Sequence, residues 1–109
     1  MAYDEGLAQR VREALSDRPD VTERKMFGGL CFMLGGNMCC GITTEDLMLR
    51  VGPDAYETTL ARPHAREMDF TGRALKGMVY VSGAGIEDDP ALGAWLEIAV
   101  GFAGQLPPK

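Results

Sequence analysis

Apolar positions return along this chain in two rhythms. Between Asp4 and Ser16, Leu7, Val11, Ala14 and Leu15 recur at helical spacing, and Arg10, Arg12 and Glu13 lie between them as a solvated side. Asp17-Arg18-Pro19-Asp20 stops that helix, because proline disfavours helix at the residue before it. A second helical stripe runs through Leu92, Trp95, Leu96, Ala99, Val100, Ala103 and Leu106. Asp89 suits its N-cap and Pro90 its first helical position, and Glu87, Asp88 and Asp89 set negative charge at its positive end. A short middle helix opens at Gly52-Pro53 and runs to about Ala61, with Tyr56 and Leu60 on one face and Pro63 beyond it.

Between the helices the rhythm changes to strands. Val21 to Phe27 reads as a short strand that Gly28-Gly29 breaks or bulges. Leu30–Leu34 and Asn37–Ile42 read as a hairpin around Gly35-Gly36, which suits a two-residue type I′ turn; a Gly36-Asn37 turn is the alternative. The first register sets Leu34 opposite Asn37, Met33 opposite Met38, Phe32 opposite Cys39 and Cys31 opposite Cys40. One face then holds Leu30, Phe32, Leu34 and Cys39, and the other Cys31, Met33, Met38, Cys40 and Ile42. Both faces are apolar, which an ordinary hairpin with one wet side is not. After a turn at Thr44-Glu45-Asp46, Leu47–Val51 alternates Leu47, Leu49 and Val51 with Met48 and Arg50. Arg66–Phe70 and Leu75–Val81 form a second hairpin around Thr71-Gly72-Arg73. Hairpin-linked strands with helices at the ends predict an α+β domain: an antiparallel sheet of about five strands packed with N-terminal, short middle and C-terminal helices.

Length and charge narrow the classes. At 109 residues the chain reads as one domain, with its core over about residues 4–106. A chain of this size buries roughly two thirds of its unfolded surface, enough for a core without metal or disulfide support. The net charge of −5 speaks against direct nucleic-acid binding by the bare domain. The start carries acids and no long apolar run, so no signal peptide is expected, and no run is long enough to span a membrane. A cytoplasmic location follows, and three cysteines there argue against a disulfide framework.

The candidate chemistry is sparse. In the favoured register Cys31 and Cys40 are cross-strand neighbours and form a candidate redox pair; the plain alternative is that Cys31, Cys39 and Cys40 are small buried hydrophobes. No CxxC spacing and a single histidine leave no expected metal site and no cofactor. His64 sits in the basic loop Arg62-Pro63-His64-Ala65-Arg66 without a nucleophile or orienting acid at a telling spacing, which speaks for a solvated loop histidine. Arg24, Lys25, Arg66 and Lys76, with Phe27 beside the first pair, are the candidate binding residues. An anion held by the basic loop, with Arg73 or Lys76 added, is the form such binding could take. Met26, Met33, Met38, Met48, Met68 and Met78 all lie on or beside strands, as core fillers or as an adaptable surface.

Three ordered pieces carry a resemblance: Met26-Phe27-Gly28-Gly29-Leu30-Cys31-Phe32, Gly36-Asn37-Met38, and Met68-Asp69-Phe70-Thr71-Gly72-Arg73 with Lys76-Gly77-Met78-Val79-Tyr80-Val81. Together they resemble the N-terminal domain of the TfoX/Sxy family of competence regulators, over about residues 5–104. The resemblance implies an α+β sandwich and a link to transcriptional regulation of DNA uptake, and no reaction. Full-length regulators of that family carry a second, helical domain; a single domain is expected over these 109 residues. The resulting expectation is a non-enzymatic regulatory or protein-interaction module that binds a protein partner or forms a homodimer. The alternative is a small-ligand-binding protein or minor enzyme with an anion-binding pocket between sheet and helices, lined by Arg24, Lys25, Arg50, Arg66 or Lys76.

Overall fold

A computed structural model describes residues 4–26, 29–43, 46–67 and 77–107. Helix α1 spans Glu5–Ala14, strands β1 Val21–Met26, β2 Gly29–Leu34, β3 Asn37–Thr43 and β4 Asp46–Arg50, helix α2 Gly52–Leu60, strands β5 Ala65–Glu67 and β6 Met78–Val81, and helix α3 Asp89–Ala103. The strands form one antiparallel sheet in the order β1-β2-β3-β4-β6-β5. The architecture is the expected α+β, with six strands where about five were expected. The strand with the weakest sequence signal is β1: Thr22-Glu23-Arg24-Lys25 carries almost no apolar pattern, and pairing with β2 along its whole length defines it. The second hairpin's turn, residues 71–73, lies outside the described residues, as do Phe27, Met68 and Lys76.

Local chemistry explains the element ends. Asp4 caps α1 by accepting from the Leu7 amide at 3.1 Å. Asp88, not Asp89, caps α3, accepting from the Ala91 amide at 2.7 Å, so Asp89 and Pro90 enter the first turn. That shift by one keeps both acids near the helix's positive end. Helix α2 has no side-chain cap; the amides of Val51 and Gly52 donate to the Gly77 carbonyl at 2.7 and 3.2 Å. Gly52 has φ +83°, and a Cβ there would overlap the Phe102 ring. Gly35 and Gly36 have φ of 60° and 85°, as a type I′ turn requires, so the turn stands at the expected pair.

The register of the central hairpin departs from expectation after two pairs. Leu34 faces Asn37 and Met33 faces Met38 as read from sequence, but Phe32 then faces Cys40, Cys31 faces Gly41 and Leu30 faces Ile42. Cys39 is the extra residue of a β-bulge. The bulge turns the rest of β3 over. Cys40 and Ile42 move to the helix side, where they pack with Leu30, Phe32, Leu34, Leu49, Val79 and Val81 under α1, α2 and α3. The physical reason is volume: the fully buried Ile42 joins the larger core, and the side-chain-free Gly41 takes the crowded position beside Cys31.

Arg10 joins the two terminal helices, donating to the Asp89 carboxylate at 3.1 Å, and Arg12 forks onto Glu23 of β1 at 2.6 and 2.9 Å. The buried Asn37 amide donates to the Pro107 carbonyl at 2.9 Å, tying the segment after α3 to the start of β3. Among the described residues no helix is long and apolar enough to cross a membrane.

Candidate functional site

The sheet has a second face that the described helices do not cover. Every buried apolar side chain of α1, α2 and α3 belongs to the core on the first face. The second face carries its own small core. Cys31 and Met48 are fully buried, and half-buried Met33, Met38, Met78 and Tyr80 pack against them. Fully burying a methionine side chain stabilises by about 1.5–3 kcal/mol, so this cluster contributes to the fold without a helical layer above it.

Register explains how. Cross-strand partners share a face, so one row runs Arg24, Cys31, Gly41, Met48, Tyr80, Arg66 across all six strands. Beside it run Thr22, Met33 and Met38 on β1, β2 and β3, and Arg50 and Met78 on β4 and β6. Gly41 leaves a notch in the first row. A Cβ there would sit 2.6 Å from Met48 Cε and 3.1 Å from Cys31 Sγ, so the two sulfur side chains already close over it. Arg66 lies 4.8 Å from the Tyr80 ring centroid and pairs with Asp46. Arg50 reaches round the sheet end, 5.4 Å from the Phe102 centroid. Arg24 is exposed on the edge strand, with no partner among the described residues.

The other candidate residues divide. Lys25 faces Leu30 and therefore lies on the helix side, opposite to its neighbour Arg24. Arg24 and Arg66 stand on the two edge strands, five strand spacings or roughly 24 Å apart. Arg62 lies 5.6 Å from the Trp95 centroid, on α3, while Arg66 is on the second face, so the basic loop does not converge on one point. Exposed His64 has φ +74° beside Gly85, and its carbonyl accepts from the Ser82 amide at 3.0 Å. Arg50 lines a cleft of about 130 Å³ with Pro53, Gly77 and Phe102, smaller than the ~300 Å³ at which small-molecule pockets begin. Larger grooves, of about 480 and 510 Å³, lie against the helices, away from Arg24, Lys25 and Arg66.

The cysteines are free and buried. Cys31 and Cys40 are not cross-strand partners, as the redox reading required: Cys31 faces Gly41 on the second face, and Cys40 faces Phe32 in the helix-side core. Burial pushes the Cys31 thiol from 9.0 up to about 11. Cys40 donates its thiol proton to the neighbouring Cys39 sulfur, and that bond, together with burial, pushes Cys40 well up and Cys39 down. Cys31 and Cys40 are held as neutral thiols at neutral pH, the unreactive form. Among the described residues, no three His, Cys, Asp or Glu side chains are grouped so as to hold a metal ion.

The family model of the TfoX N-terminal domain matches residues 13–103. The chain belongs to that family. No curated protein and no solved structure matches it. In this TfoX N-terminal domain the first two resembling pieces build the central hairpin, and the third ends in β6, so the described parts of all three contribute strands to the same sheet. Tyr80 was absent from the candidate set read from sequence, and Arg50 stood in it only as the lining of a pocket between sheet and helices. The alternation of Leu47 to Val51 already placed Met48 and Arg50 on one side; the missing information was that β6 lies next to β4.

Proposed function

We propose that this TfoX N-terminal domain is a non-enzymatic protein-interaction module with a regulatory task, and that it binds a different protein through the methionine-bearing second face of its sheet. One observation carries the reading: Met33, Met38, Met78 and Tyr80 stay half-exposed over a dry centre of Cys31 and Met48, and no described helix lies on them. Flexible thioethers adapt to the shape of a bound surface. A second copy on the same face is disfavoured, since it would set Arg24, Arg50 and Arg66 against their own counterparts.

Photo-crosslinking tests this in the native cytosol. A photoreactive residue at Thr22, on this face, should capture one partner protein, identified by mass spectrometry. The same residue at Ala94, exposed on α3, should not. Met38→Glu should abolish capture. Equal capture from both positions, or cross-links to a second copy alone, would overturn the reading.

A further inference from the structure

The second face differs from the rest of the molecule in charge. Its described residues include three arginines, Arg24, Arg50 and Arg66, against one aspartate, Asp46, in a chain of net charge −5. The acids concentrate elsewhere, as with Glu87, Asp88 and Asp89 at the start of α3. The arginines are also spaced. Arg24 stands on one edge strand, Arg66 on the other and Arg50 between them, with the methionines in the middle.

We infer that this face takes an acidic amphipathic helix, its apolar stripe on Met33, Met38, Met78 and Tyr80 and its carboxylates on Arg24 and Arg66. The inference rests on the docking face proposed above and adds the chemistry of the occupant. The roughly 24 Å between the edge arginines corresponds to about 16 helical residues, or four to five turns. An apolar stripe laid on a methionine surface is an established mode of helix recognition. Arginine suits the ends because its fork meets carboxylates bidentately. Arg24 has no partner among the described residues to give up, and Arg66 has donors beyond those it gives Asp46.

The test uses the full chain with its methionine and leucine methyls labelled for NMR. The probes are a synthetic helical peptide of about 16 residues, with a leucine stripe and glutamates toward both ends, and its lysine-for-glutamate counterpart. The acidic peptide should shift the Met33 and Met38 methyls, leave the Leu92 methyls in place, and bind at least tenfold more tightly than the lysine peptide. Arg24→Glu, on an exposed side chain, should leave thermal unfolding unchanged and weaken the acidic peptide about tenfold. Equal binding of the two peptides, or no effect of Arg24→Glu, overturns the acidic occupant and leaves the docking face standing. No methyl shifts with either peptide overturns both.

Discussion

Deleting Cys39 probes the bulge directly. Cys39 is the residue of β3 that the pairing with β2 skips between Met38 and Cys40, so its removal should leave a regular ladder in which the flanking pairs survive: Met33 with Met38, Phe32 with Cys40, Cys31 with Gly41 and Leu30 with Ile42. The β4 register beyond, Cys40 with Leu49 and Ile42 with Leu47, is untouched. The cost comes from the lost side chain, which is 1% exposed in the helix-side core. Removing it forfeits roughly 1–1.5 kcal/mol of burial. The cavity and the straightened strand add a similar amount, for a total of about 2–3 kcal/mol. A domain of this size holds roughly 5–15 kcal/mol, so the variant should fold, with its unfolding midpoint lowered by about 8–25 °C. Thermal unfolding by circular dichroism gives the cost, and cross-strand NOEs give the register. Cys39→Ala, which keeps the bulge, should lose about 1–2 kcal/mol. If the deletion variant pairs Met33 with any residue other than Met38, or exposes Ile42, the two-for-one pairing is wrong.

Three further outcomes are expected. Met48→Ala should cost about 2–5 kcal/mol in urea unfolding, and Met78→Ala well under half of that, because only Met48 is fully buried; equal costs would mean that the second face has no core of its own. Tyr56 is 6% exposed and its hydroxyl has no hydrogen-bond partner among the described residues, so Tyr56→Phe should raise stability by about 1 kcal/mol; a loss would show that the hydroxyl is satisfied. The Cys31 thiol titrates at about 11 folded against an ordinary 9.0, so its contribution is whole below pH 9 and lost as pH rises toward 11; Cys31→Ala should flatten the decline of stability over that window.

The sequence reading and the structure agree where one residue type has one physical use. Gly35-Gly36 demanded positive φ and announced the turn; Asp4, Pro53 and Pro90 marked helix starts; Leu92, Trp95, Leu96, Ala99 and Ala103 kept their helical spacing into the core. They part where a choice depended on a neighbouring strand. Cys39 and Cys40 are small enough for either face, so period-two alternation ran straight through the bulge and placed Ile42 on the wrong side. A stronger signal was available: Ile42 is the largest apolar residue after the turn, and only the bulge lets it join Leu30 and Phe32 in one core. The binding residues were legible as types and not as a place. Adjacent Arg24 and Lys25 are separated by strand pleating, and Arg66 reaches the face of Arg24 only through the order of all six strands.

The strand order has a last consequence for how copies of this molecule can meet. The sheet ends on one side in β1, whose Thr22-Glu23-Arg24-Lys25 run carries three charges in a row, and on the other in β5, three residues long with Arg66 and Glu67. Charged or very short outermost strands make poor templates for a further chain. Neither described rim invites sideways growth into fibrils, which leaves the broad face of the sheet as the better surface for contact.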